Sequence, residues 1–253
     1  MLIDIYSYAG GKYMPQSSAF HDVVEFAKSY LRSDEEKLSK LYFHNECHTF
    51  HPVKGVLSVA LKLAIIDGMS YTDEAYERIG LAAALHDIGN IVERQEHEQI
   101  SIDVSRNKLI QLGYDRQMIE AIACCIYSTA IDYSDGLVRR TVGSREAKIV
   151  SDADLSNPGF LDVTNFAAES IKIWLEMDEF GIEDFSTTGV ALTKTFFNQI
   201  GDYYTGTARH LFSERRQKNL AGLEKAVEQL LNKANYSEQT LIQILSELDK
   251  TLS

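Results

Sequence analysis

The chain has 253 residues, 45% of them hydrophobic and 25% charged, with only three prolines and a formal net charge of −12. Such a composition builds a globular core of ordinary size and excludes a disordered chain. The acidic balance, with a pI near 5.0, argues against nucleic-acid polymers and anionic membranes as partners.

Taken in chain order, the segment MLIDIYSYAGGKYMPQSS carries Asp4 in its apolar stretch and lacks a basic start, so it does not read as a signal peptide. Its first fifteen residues predict a short extended arm. No apolar run approaches the ~20 residues that span a bilayer. Beyond the arm the pattern is helical. Val53, Val56, Leu57, Ala60, Leu61 and Ala64 recur at three and four residues, which predicts an amphipathic helix over 48–67. Thr72 or Asp73 can cap the next helix, which carries Ala75, Ile79, Ala82, Ala83 and His86 on one stripe and stops at Gly89. Helices follow over 97–112 and 115–130, then a polar loop from Asp132 to Gly143. A helix from Arg145 to Asp154 ends at the breaker SNPG, 156–159. Four more helices are expected near 160–178, 187–213, 214–233 and 236–251. The scarcity of proline supports long helices. The expected fold is all-α, one domain over 1–253 with a C-terminal helical layer over 181–253. Cys47 and the neighbours Cys124 and Cys125 form neither a zinc spacing nor a disulfide framework, which suits a reducing cytoplasm; the pair reads as packed inside.

Three stretches carry candidate chemistry. On the helix that ends at SNPG, Ala147, Val150 and Asp154 share one face, and a carboxylate on an apolar face needs a partner or a metal. Asp152 follows Lys148 by four residues on a more polar face and reads as a surface ion pair, pointing away from any metal. His86 sits on an apolar stripe immediately before Asp87, and at a helix end both side chains can turn toward one ion. Imidazole with carboxylate suits Zn, Mn, Fe, Co or Mg. In FHNECH, 43–48, His44 and His48 are four apart and share a face on a helical turn.

FHNECHT, ALHDIGN and DADLSNP in this order resemble the HD superfamily of metal-dependent phosphohydrolases, and the first and last look like the cyclic-nucleotide phosphodiesterase pattern. The resemblance covers about 42–160 and implies an HD-type helical bundle with additional C-terminal helices. It implies that His48, His86, Asp87 and Asp154 hold a divalent metal, and that His44 protonates the leaving oxygen. Two-metal members carry further histidines. His97 matches one such position as a ligand to a second metal, while Tyr127 and Ser128 stand where another histidine belongs. One or two ions per chain are therefore expected. Arg145 and Lys148, with Arg139 and Arg140, offer charge for a substrate phosphate. The implied substrate is a small phosphate ester, with a nucleotide the leading choice; a homodimer is compatible with the sequence. The competing readings are a di-iron oxygenase of the same superfamily and a non-catalytic nucleotide-binding signalling module. The first is disfavoured by the gap at Tyr127 and Ser128, the second by the intact ligand set.

Overall fold

The computed structural model describes residues 14–133, 137–177 and 181–251; the expected arm lies outside them except for its last two positions. The fold is all-helical. Among the described residues, the only extended pairing is a ribbon of two-residue strands, β1 (Ile131–Asp132) and β2 (Arg139–Arg140). Apart from Ile131 it lies within the stretch, Asp132 to Gly143, expected to be polar loop. No helix of the described residues is long and apolar enough to cross a membrane. The chain divides into two compact units, residues 1–132 with 140–155 and residues 133–139 with 156–253. The division falls at the SNPG breaker.

The first unit contains α1 (Ser18–Leu31), α2 (Glu35–Leu38), α3 (Glu46–Phe50), α4 (Val56–Ile66), α5 (Glu74–Leu85), α6 (His97–Gln111), α7 (Arg116–Tyr127) and α8 (Arg145–Asp154). The helix expected over 48–67 is two helices, α3 and α4. Pro52 holds the preceding residue out of the helical region, and His51 accordingly ends α3 with ψ 130°. The chain then turns so tightly that a Cβ on Gly55 would lie 2.5 Å from the His51 nitrogen. α4 is buried continuously from Val56 to Ala64, so it is a central helix and not an amphipathic one. α5 and α8 pack on α4, and α1 packs on α5 where Gly80 meets the Phe20 ring. α8 has the bounds its sequence implies because Ser144 caps it, its hydroxyl accepting from the Ala147 N–H. α5 stops earlier than expected, at Leu85. His86 is its C-cap, and Ile88–Ile91 continues as a 3₁₀ turn. His86 and Asp87 therefore sit where the winding changes.

The second unit contains α9 (Asn157–Phe160), α10 (Val163–Met177), a 3₁₀ turn at Ile182–Ser186, α11 (Thr188–Gln199), α12 (Gly206–Lys233) and α13 (Glu238–Thr251). α12, 28 residues long, is the spine against which α9 and α10 pack. Asn219 on α12 donates to the Pro158 and Leu161 carbonyls, and Arg215 to that of Phe160. The expected break at 213/214 does not occur. It falls at 200–205, where Gly201 takes φ +73°. Arg216 packs its guanidinium between the Phe197 and Tyr203 rings, and Lys172 bonds Asp249 at 2.7 Å to bring α13 onto α10. Gln199 accepts from the Val138 N–H at 3.0 Å, so it is engaged by backbone.

Candidate metal centre

Four segments of the first unit converge on one buried cluster. Asn45 caps α3, accepting from the Cys47 N–H, and this presents His48 one turn later. The end of α5 presents His86, the 3₁₀ turn presents Asp87, and the last residue of α8 is Asp154. His48 Nε2 lies 3.2 Å from Asp154 Oδ1 and 3.3 Å from Asp87 Oδ2. His86 Nε2 lies 3.1 Å from Asp87 Oδ2 and 3.4 Å from Asp154 Oδ1. Ligand atoms of His48, His86 and Asp154 all fall within 4.8 Å of one another.

The hydrogen bonds orient one ring. His86 Nδ1 faces the Ala83 carbonyl at 2.9 Å and must donate to it, so in the neutral ring Nε2 is a bare lone pair. That lone pair points at carboxylate oxygens. His86 Nε2 and Asp87 Oδ2 are both buried without a hydrogen-bond partner. Electronegative atoms this close, desolvated and unbridged, repel; a proton or a cation between them turns the contact favourable.

The electrostatics agree. Burial opposes charging of His86, but Asp87 and Asp154 outweigh it and raise the imidazole well above its usual range. Burial also opposes ionisation of both carboxylates. His86, His97 and His44 nevertheless draw Asp87 well below the usual range, and His48 with His86 lowers Asp154. The cluster gathers positive charge. Two imidazoles and two carboxylates are the donor set of a borderline or hard divalent metal. The spacings fit ion–ligand bonds of about 2.0–2.3 Å. The residues fit a cation.

His97 stands at the start of α6 with Nδ1 on the Arg94 carbonyl at 2.9 Å. Its Nε2 is 3.3 Å from Asp87 Oδ1, the oxygen turned away from His48 and His86, and 3.3 Å from Glu98 Oε1. Glu98 did not emerge from the sequence, although its signal is visible: an acid beside a histidine at a helix start, in EHE. His44, half-buried, has its ring 5.8 Å from that of His48 and 6.2 Å from that of His97. Where a further histidine would fall, Tyr127 is exposed. Ser128 is buried and donates to the Cys125 and Ala147 carbonyls, joining α7 to α8.

The expectation for Asp152 is overturned. Asp152 does not reach solvent or pair with Lys148 on a surface. Its side chain is wholly buried, 4.0 Å from the equally buried Arg140, whose guanidinium also donates to Ser151. The reason is packing: α4, α5 and α7 all lie against α8, which leaves the Asp152 face no exit. Asp154, one turn end further, does join the histidines. Of the basic run, Arg140 is thus committed to Asp152. Arg145 donates through Nε to Asp67 at 2.8 Å, and Lys148 is half-buried. Among the described residues, neither Arg145 nor Lys148 bonds to the histidine cluster. Cys124 is exposed, contrary to the expectation that both cysteines of the pair pack inside, whereas Cys125 is buried.

The HD domain family matches residues 49–156. Over this segment, less than half of the 253 residues, the chain is similar to an HD domain. Neither the curated proteins nor the solved structures yield a match to it. The matched segment runs from α3 to the end of α8 and takes in His86, Asp87 and Asp154, with His48 one residue before it. This likeness, confined to residues 49–156, is to a metal-dependent hydrolase superfamily.

Proposed function

We propose that this HD domain is a phosphohydrolase cleaving a phosphate ester of a small molecule, a nucleotide being the leading substrate, with His48, His86, Asp87 and Asp154 holding a divalent cation. The observation that carries the reading is the buried, unpartnered His86 Nε2 facing the unpartnered Asp87 Oδ2 at 3.1 Å, an arrangement that calls for a positive charge between them. When bound there, a divalent cation polarises a phosphoryl oxygen and acidifies a water.

The chain's own residues supply the rest. Ala83 fixes the His86 ring so that its lone pair faces inward. Asp87 turns Oδ2 toward His48 and His86, while its Oδ1 faces His97 and accepts from Asn90 Nδ2 at 3.2 Å, so one oxygen would be offered on each side. His97, with Glu98 beside it, would hold a second ion. Glu98 takes the place of the histidine that α7 lacks. His44, off the cluster but beside it, gives a proton to the departing alkoxide, a task suited to an imidazole. Lys148 is assigned to the substrate phosphate, and Arg145 reaches it only by exchanging Asp67 for it. The nucleotide preference rests on the likeness of FHNECHT and DADLSNP to the phosphodiesterase pattern.

The test is metal analysis of the purified chain together with a phosphate-release panel. The panel covers nucleoside monophosphates, cyclic nucleotides and simple sugar phosphates with Mn, Fe, Co, Zn and Mg. Cation-dependent release, lost in Asp154→Asn, is expected. A chain that binds no divalent cation, or release indifferent to chelation, would refute the reading.

A further inference from the structure

Gly89 stands two residues past Asp87, in the 3₁₀ turn, and its backbone N–H donates to Ser101 Oγ at 2.8 Å. Ser101 is buried on α6, one helical turn after His97. A Cβ on Gly89 would lie 2.1 Å from the His97 carbonyl oxygen, 2.9 Å from its carbon and 3.0 Å from the Ser101 nitrogen. The first turn of α6 therefore lies backbone to backbone against the turn that carries Asp87. No other residue type fits at position 89 without moving one of the two.

The serine completes the contact. A 3₁₀ turn leaves its first N–H groups without partners in the turn, and buried ones need an acceptor. The Ser101 hydroxyl provides it for Gly89, and Ser105 in turn donates to the Ser101 carbonyl at 2.6 Å. Glu96 enters α6 at φ 58°, a left-handed conformation that a residue with a Cβ holds only when its surroundings impose it. The ring of His97 is oriented by the Arg94 carbonyl, but its distance from Asp87 is set by where α6 begins.

We propose that Ser101 is a positioning residue for the hydrolysis inferred above: with Gly89 it latches the first turn of α6 onto the His-Asp turn and thereby fixes His97 Nε2 beside Asp87 Oδ1. The proposal rests on that functional reading for its effect on turnover, but the latch itself is measurable without it. Supporting residues of this kind change metal affinity or activity by about 10–100-fold when removed.

The experiment compares Ser101→Ala, which deletes the acceptor, with Ser101→Thr, which keeps the hydroxyl. Each is read by the nitrogen resonances of the His97 ring in the full chain, assigned by their loss in His97→Asn, and by kcat and KM. In Ser101→Ala the His97 signals are expected to shift toward those of a mobile imidazole. Turnover should fall about 10–100-fold with little change in KM, and Ser101→Thr should recover both. Unmoved His97 resonances in Ser101→Ala overturn the proposal, and so do moved resonances with undiminished kcat. Should the wild type release no phosphate from any substrate, the functional reading fails and the resonances alone decide the latch. Should Ser101→Ala not fold, Ser101→Cys, similar in size and a weaker acceptor, is read in the same way.

Discussion

Two aspartates, two residues apart on α8, should fail in opposite ways when neutralised. Asp152 is buried 4.0 Å from the buried Arg140 guanidinium. Asp152→Asn keeps the volume and removes the charge, leaving a guanidinium desolvated beside a neutral amide. Breaking a buried ion pair in this way costs about 3–5 kcal/mol, against about 0–1 kcal/mol for a pair on the surface. At about 2–4 °C per kcal/mol, the melting temperature should drop by roughly 6–20 °C. Asp154→Asn instead removes a donor whose ligand atom lies with those of His48 and His86. A cation at a hundred times its Kd stabilises the wild type by about 2.7 kcal/mol over the chelated protein. Asp154→Asn should lose that increment, while Asp152→Asn should keep it on a lowered baseline. The assay is chemical unfolding of all three proteins with saturating Mn and with EDTA. If Asp152→Asn unfolds within 1 kcal/mol of wild type, the burial argument for Arg140 and Asp152 is wrong. If Asp154→Asn retains the full cation increment, Asp154 is not a ligand.

His44→Ala should keep its cation content, measured by elemental analysis, and lose about 10²–10⁴-fold in kcat on an alkyl phosphate ester, the usual worth of a general acid; undiminished turnover would refute the role. His97→Ala should bind one cation per chain where the wild type binds two; an unchanged count in a titration would leave His97 out of the ligand set. Burial pushes the Cys125 thiol up to about 12, so at pH 8 only about 10⁻⁴ of it is thiolate. A disulfide reagent at that pH should therefore modify the exposed Cys124 and spare Cys125 until denaturant is added. The Cys125 protection should persist to higher pH than for an ordinary thiol, because deprotonation is penalised by burial; rapid modification of both at pH 8 would count against it.

The elements that could be read along the chain are those decided locally. α8 runs from Arg145 to Asp154 because a serine cap starts it and SNPG ends it, both within four residues of its ends. His86 and Asp154 stand out because each is a polar group where the helical period demands an apolar one, and Asp87 because it follows His86 at a helix end; the structure brings the three together. What the period cannot say is how many faces of a helix are covered. α8 is packed on by three helices, so a position that alternates as polar on paper is interior in fact, and Asp152 needs Arg140 from a distant ribbon. α4 shows the same effect from the apolar side, its stripe widening to the whole circumference. Breaks are hidden for a related reason. Pro52 ends α3, but the Val56–Ala64 pattern continues in phase beyond it. Gly201 separates α11 from α12 although Phe197 and Tyr203, on either side, pack on the same arginine. Gly89 and Ser101 are the furthest from legibility, since a glycine in HDIGN looks like a helix stop until the carbonyl of His97 is seen 2.1 Å from where its side chain would be. A close backbone approach leaves no mark on either segment alone. It is a property of the pair, and here the pair joins the turn that carries Asp87 to the first turn of the helix that carries His97.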